Sequence, residues 1–265
     1  MNLGGREVLV TGATGGLGHA IARALARRGA RVLLSGRQAG PLEALADELG
    51  GRALPCDLAD RDDVARLADA AAAVDVLVAN AAVPASGAIG GFSVAQLDRA
   101  LDVNLRAPMV LARLLSERMA ERGEGHLVFV NSLSGKAGAA GSSVYSASKF
   151  GLRGFALGIR EDLRPLGIGV STVFPGFIRD AGMFHESGAE LPGYVGLRRP
   201  DDVARAVVRA IEHDRAEIDV APLGLRLGAA FSGLVPEAAA RIQRRLGATE
   251  IAARVAEGQR DKNGA

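Results

Sequence analysis

EVLVTGATGGLG, residues Glu7–Gly18, is the stretch whose reading decides the fold. Glu7 to Thr11 is a short run rich in apolar and β-branched residues, which predicts a buried first strand. From Leu17 to Arg28 the apolar residues follow a helical period. The turn between them carries Gly12, Thr14, Gly15, Gly16, Leu17 and Gly18. Strand, glycine turn and helix in that order make a phosphate-binding layout. Glycines let the backbone come close to a pyrophosphate, and the helix N-terminus offers free N–H groups and a positive dipole end. The spacing reads two ways, as G-x-x-x-G-x-G through Gly12, Gly16 and Gly18, or as G-x-x-G-x-x-G through Gly12, Gly15 and Gly18. Outward from this unit the rhythm repeats. Arg31–Ser35, Arg52–Pro55, Asp75–Ala79, Gly125–Asn131, Ile168–Phe174 and Glu217–Val220 read as strands. Helices are expected over Gln38–Leu49, Asp63–Ala73, Ser93–Glu121 and Ser142–Leu163, with another opening at Pro200-Asp201-Asp202. The alternation predicts an α/β fold: a doubly wound parallel sheet of about seven strands with helices on both faces and ligands beyond the strands' C-terminal ends.

Composition narrows the function. The 265 residues are 48% hydrophobic, enough for one α/β domain with a large core. Residues 1–220 are expected to form the cofactor-binding and catalytic domain, and 221–265 a helical extension of it. Thirty-five glycines against eight phenylalanines, two tyrosines and no tryptophan favour close packing of elements over aromatic stacking platforms. The net charge is +2 with the basic residues scattered, which gives no footprint for nucleic acid. The one cysteine, Cys56, excludes an intrachain disulfide and fits a reducing compartment. The four histidines have no metal-ligand spacing, so no metal is expected. No signal peptide is expected before the first strand, and the most apolar stretch, Ala221–Val235, is short and interrupted by Arg226. A cytoplasmic protein is the expectation.

Candidate chemistry gathers at the predicted strand ends. Tyr145 and Lys149 stand four residues apart and share a helical face. A phenol titrates near pH ~10 when unperturbed, and a neighbouring ammonium pulls that value down, which suits a general acid/base. An ordinary surface pair has the same spacing. Ser132 follows the apolar run His126–Val130 and falls at the sheet's C-terminal edge. Asn104, mid-helix and four residues before Pro108, marks either a local distortion able to hold a water or a solvent-facing side chain. After the second strand, Gly36 stands where an acidic residue would bind ribose hydroxyls. Arg37 beside it can pair with a 2′-phosphate or simply be solvated. Asp57, with Leu58, lies over an adenine pocket or caps the helix from about Asp60. Small residues after the fourth strand, Asn80-Ala81-Ala82, permit close approach of a cofactor.

In these motifs, over roughly residues 5–221, the chain resembles the short, single-domain branch of the short-chain dehydrogenase/reductases. TGATGGLG is similar to that family's Thr-Gly-x-x-x-Gly-x-Gly, and Asp57 stands where its adenine-contacting Asp does. Ala79-Asn80-Ala81-Ala82 stands for Asn-Asn-Ala-Gly, Asn104/Ser132/Tyr145/Lys149 for the catalytic tetrad, and Pro175-Gly176 for the nicotinamide-side turn, with Ile178 after it. Asp180 replaces the usual Thr, so a contact to the cofactor's phosphate or carboxamide is lost. Asp180 is expected to point away or to pair, for example with Arg179. The resemblance implies a Rossmann-like fold and hydride transfer between a nicotinamide cofactor and a carbonyl or secondary alcohol. NADP(H) is favoured through Arg37, and NAD(H) is possible. Tyr145 would move the proton, and Lys149 would lower its pKa and bind the nicotinamide ribose. Ser132 would hold the substrate oxygen, and Asn104 would position a water. It also implies a homo-oligomer.

Specificity is expected from Asp180–Arg199, where Met183, Phe184, His185, Leu191, Tyr194, Val195 and Leu197 alternate with Gly182, Gly188, Gly193 and Gly196. That pattern suits a lid over a mostly apolar small molecule, with some of these residues serving only to pack it. His185 either touches substrate or is solvated. Pro236–Val255 reads as one amphipathic helix with Arg241, Arg244, Arg245 and Arg254. It either packs on protein or lies on a membrane surface, and the last residues, GQRDKNGA, are expected to fray. Two rival functions remain: a cofactor-binding regulator or scaffold without turnover, and a sugar-nucleotide epimerase or dehydratase, for which too little chain is left.

Overall fold

The computed structural model describes residues 1–189, 195–245 and 247–259. Leu191, Tyr194 and the chain end after 259 lie outside that range. Seven strands, β1 (Glu7–Thr11), β2 (Arg31–Gly36), β3 (Arg52–Pro55), β4 (Val76–Ala79), β5 (Gly125–Val130), β6 (Ile168–Pro175) and β7 (Glu217–Val220), form one sheet. Its order is β3-β2-β1-β4-β5-β6-β7, with all neighbours parallel. The helices are α1 (Gly16–Ala26), α2 (Ala39–Leu49), α3 (Arg61–Ala70), α4 (Val94–Leu101), α5 (Ala107–Arg122), α6 (Ser143–Leu163), α7 (Gly182–Glu186), α8 (Pro200–His213), α9 (Leu223–Leu234), α10 (Pro236–Arg245) and α11 (Ala248–Gly258).

The central strands are near-continuous apolar runs because both sheet faces are covered. Their residues alternate between two cores. Val8, Val10, Val76, Val78 and Val128 pack with α1, α2 and α8. Leu9, Leu77, Leu127 and Phe129 pack with α3, α5 and α6. Strand order reverses between β1 and β4, which opens a crevice at their C-terminal ends.

Helix starts differ in a way that matters for that crevice. α3 is capped by Asp60, whose carboxylate accepts from the Asp62 and Asp63 N–H groups, and α4 by a Ser93/Gln96 capping box. Asp57 is therefore not the cap; it accepts from Ala59 N–H instead. α1 begins at Gly15 with no side-chain cap and no acidic residue in its first turn, which leaves its N–H groups available to an anion.

Two expected helices are broken. Ser93–Glu121 is interrupted by a π-helical turn over Asp102–Arg106, in which the Ala107 N–H reaches the Asp102 carbonyl. Asn104 sits in it, buried rather than solvent-facing. Pro236–Val255 is α10 and α11, with Gly247 at φ 72° opening the second. The apolar stretch 221–235 contains α9, which leaves Leu223, Leu227, Phe231 and Leu234 exposed. Among the described residues, no helix is long and apolar enough to cross a membrane.

Candidate active site

The glycine turn is a steric cradle. Gly12 has φ +64°, and a Cβ there would lie 2.8 Å from Ala81 Cα. A Cβ at Gly18 would collide with the Gly12 carbonyl, and one at Gly16 with the Ala181 side chain. At Gly15 it would meet only the Gly12 oxygen, at an ordinary 3.5 Å. The three positions that exclude a side chain are thus Gly12, Gly16 and Gly18, which decides between the two spacings. Thr11, which sequence reasoning passed over, braces the turn: its hydroxyl accepts from the Asn80 and Ala81 N–H groups, both at 3.1 Å. The Asn80 carboxamide donates to the Thr11 and Gly12 carbonyls at 3.0 and 3.2 Å.

A cleft of about 470 Å³ opens beside this turn. Gly12, Thr14, Gly15, Gly16, Leu17, Gly18, Arg37, Asp57, Leu58, Asn80 and Ala81, all singled out from sequence, line it. Arg37 is exposed there, with no ion-pair partner among the described residues. Arg99 on α4 was not anticipated. Its guanidinium lies 3.6 Å from the Asp57 carboxylate on the same wall. Cys56 also lines the cleft, but burial pushes its thiol up to about 12, so it is inert. Among the described residues, three buried side-chain atoms lack a hydrogen-bond partner: Ser35 Oγ, Arg99 Nε and Gln259 Oε1. All three residues line this one cleft. A glycine cradle, a bare helix N-terminus and unspent polar atoms fit a polar, phosphate-bearing ligand such as a nicotinamide dinucleotide.

Ser132, Tyr145 and Lys149 come together beyond β5. Ser132 follows the strand, and its hydroxyl accepts from Ser134 N–H at 3.1 Å close to the Tyr145 phenol. Lys149 is 1% exposed and donates to the Val130 carbonyl at 3.3 Å; its Nζ lies 5.6 Å from the centre of the Tyr145 ring. Asn131 holds this group in register by donating to the Lys149 carbonyl at 3.0 Å while accepting from Ser132 N–H at 2.8 Å. The expected lowering of the Tyr145 pKa is corrected here. Burial pushes the phenol up to about 12, only partly offset by the nearby Ser132 hydroxyl. The same burial lowers Lys149 to about 8. Desolvation is the dominant cause in both groups.

Asn104 is anchored at both ends, accepting from Val83 N–H at 2.8 Å and donating to Val83 C=O at 3.0 Å. Its second N–H and second lone pair remain beyond these two bonds.

The lid segment follows β6. Gly176 packs on Ala221, where a Cβ would meet the alanine methyl at 3.0 Å, and Ile178 is buried. Pro175, Gly176 and Ile178, like the tyrosine and lysine, lie outside the lining of the open cleft. Asp180 has φ 68°, is exposed and points to Arg179 at 3.5 Å. Met183 lines the cleft, Phe184 packs edge-on against Phe177 at 4.9 Å, and His185 is exposed.

The model for the short chain dehydrogenase family matches residues 6–192. The chain is 37% identical over 227 residues to the ketoacyl reductase HetN of a Nostoc species, covering 82% of this chain and 79% of that one. It is 33% identical over 217 residues to the 3-oxoacyl-(acyl-carrier-protein) reductase FabG of Rickettsia conorii, covering 78% and 89%. A solved short-chain dehydrogenase from Sphingobium yanoikuyae in complex with NADPH aligns at TM-score 0.77 and 27% identity, over 88% of this chain and 95% of that one. The chain belongs to the short-chain dehydrogenase/reductase family and is an NAD(P)-dependent oxidoreductase.

Proposed function

We propose that the protein is an NADP(H)-preferring oxidoreductase that interconverts a carbonyl and a secondary alcohol on a mostly apolar small molecule. The observation that carries this reading is the grouping of half-buried Ser132 and Tyr145 with buried Lys149 near a cleft whose wall holds every unpartnered buried polar side-chain atom of the described residues. The nicotinamide cofactor supplies or removes the hydride when bound. The chain's residues do the rest. Ser132 holds the substrate oxygen against the Tyr145 hydroxyl. Tyr145, protonated at neutral pH, gives its proton to that oxygen in the reducing direction. Lys149 would bind the nicotinamide ribose hydroxyls. Asn104, in the π turn, would position a water that links Lys149 to solvent.

Arg37 favours a 2′-phosphate: it is charged, unpaired and on the adenosine wall, with no acidic residue at the end of β2 to repel it. The NADPH bound to the Sphingobium neighbour supports the same preference. Two relatives named as ketoacyl reductases favour reduction over oxidation. Residues 1–220 would form the catalytic domain and 221–265 its extension. A second copy of the chain suits the apolar residues that α6 and α9 leave exposed, among them Phe150, Leu157 and Leu227.

Fluorescence titration with NADPH and with NADH tests the reading. The wild type should bind NADPH more tightly, and Arg37→Asp should weaken NADPH by about 10- to 100-fold with little change for NADH. Equal weakening of both would remove the 2′-phosphate assignment. Binding of neither by folded protein would remove the cofactor reading.

A further inference from the structure

The extension returns to the cofactor cleft. Gln259, just after α11, is 3% exposed and lines the cleft together with Gly16 and Met183. Its carboxamide N–H donates to the Met183 carbonyl at 2.9 Å, while its own carbonyl oxygen has no partner among the described residues. One residue earlier, Gly258 lies so close to the Ser187 carbonyl that a Cβ would collide with it. Two consecutive residues therefore grip α7, one at Met183 and one just past its end. Gln259 also lies beyond residues 6–192, the span of the family match.

A buried carbonyl oxygen without a donor is costly, and it is kept where something supplies the donor in the working state. Phosphate oxygens of a dinucleotide cannot donate, whereas its ribose hydroxyls and amide N–H groups can. Resting on the cofactor reading above, we propose that Gln259 is a cofactor-contacting residue contributed by the C-terminal extension. Its carbonyl oxygen accepts from a hydroxyl or amide N–H of the bound dinucleotide, and its N–H fastens α7 over that ligand. Gln259 then sets how long the cofactor stays, while Tyr145 sets what is done with it.

The test uses the full-length chain and two substitutions. Gln259→Met keeps length and removes both hydrogen bonds; Glu257→Gln, on the exposed side of the same helix, is the control. Stopped-flow displacement should show NADPH leaving Gln259→Met about ten-fold faster than the wild type. The control should match the wild type. The ligand-free variant loses the Met183 bond, so its melting temperature should fall slightly, and the rise on adding NADPH should be reduced as well. A purely structural role would lower the ligand-free melting temperature and leave the off-rate alone, and that result overturns the proposal. If the variant does not fold, hydrogen exchange on the wild type decides. Residues 182–187 and 255–259 should gain protection together on adding NADPH, and protection of the first segment alone overturns the proposal. A wild type that binds neither nucleotide sinks the cofactor reading and this inference with it. Tight wild-type binding with an unchanged variant off-rate sinks this inference only.

Discussion

Around Tyr145 the polar side chains are already bonded within the protein. Ser132 accepts from Ser134 N–H, Asn131 ties Ser132 to the Lys149 carbonyl, and Asn104 uses both ends of its carboxamide on Val83. Along the cofactor cleft, a short way off on the same sheet edge, Ser35 Oγ, Arg99 Nε and Gln259 Oε1 have nothing to bond. The first wall is finished before any ligand arrives, and the second is completed by one. Preorganisation belongs where charge develops in a reaction, because groups that need not move cost no reorganisation at that moment. Unspent groups belong where a ligand must bind and leave, because they are satisfied only while it is there.

The largest effect should come from removing the one atom of the finished wall proposed to react. Tyr145→Phe should lower kcat by about 10³-fold or more while NADPH binding stays within about three-fold of the wild type. Surviving turnover would take the proton-transfer role from Tyr145. Equal loss of binding would mean that the two walls are not separable. Lys149 gives the next effect, through pH. Its folded pKa of about 8 lies below the ordinary 10.5, so between those values the unfolded chain holds a proton the folded chain does not. Stability should therefore rise with pH across that window, by about 3 kcal/mol in all for this group. Tyr145, raised from 10 to about 12, acts in the opposite sense above pH about 10, where stability should fall. Urea midpoints at pH about 8 and about 10 measure the rise. Lys149→Met should flatten it, and an unchanged slope would mean that the ammonium is solvated.

Much of the finished wall was legible in the sequence, and most of the unfinished one was not. Tyr145 and Lys149 are one helical turn apart, and Ser132 is delivered by its own strand end, so local spacing places all three. The glycine turn is equally local, yet its two spacings could not be told apart. The contact that separates them, Gly16 against Ala181, joins the first helix to the lid after β6. Arg99, Thr11 and Gln259 were missed for the same reason: each matters only through partners far along the chain. The direction of the Tyr145 shift was misjudged because sequence shows the lysine but not the depth of burial. Asn104 lay between the two cases. The misfit of an asparagine before Pro108 foretold the distortion, whereas the engagement with Val83 needed the fold.

The smallest effects separate the walls most directly. Asn104→Ala strips both partners from the Val83 backbone, itself buried, and should cost about 2 kcal/mol of ligand-free stability. Ser35→Ala removes a hydroxyl that bonds nothing in the described residues. It should leave ligand-free stability within about 0.5 kcal/mol of the wild type, or raise it slightly, because an unpaired buried polar atom is lost. NADPH binding should move the other way, weakening by about 3- to 10-fold for Ser35→Ala. Paired urea melts and titrations of the two variants test this crossing pattern. If Ser35→Ala destabilises the empty protein as Asn104→Ala does, its hydroxyl is already satisfied, and the distinction between a finished and a waiting wall fails at that position. If it changes neither quantity, Ser35 is packing alone, and the waiting wall reduces to Arg99 and Gln259.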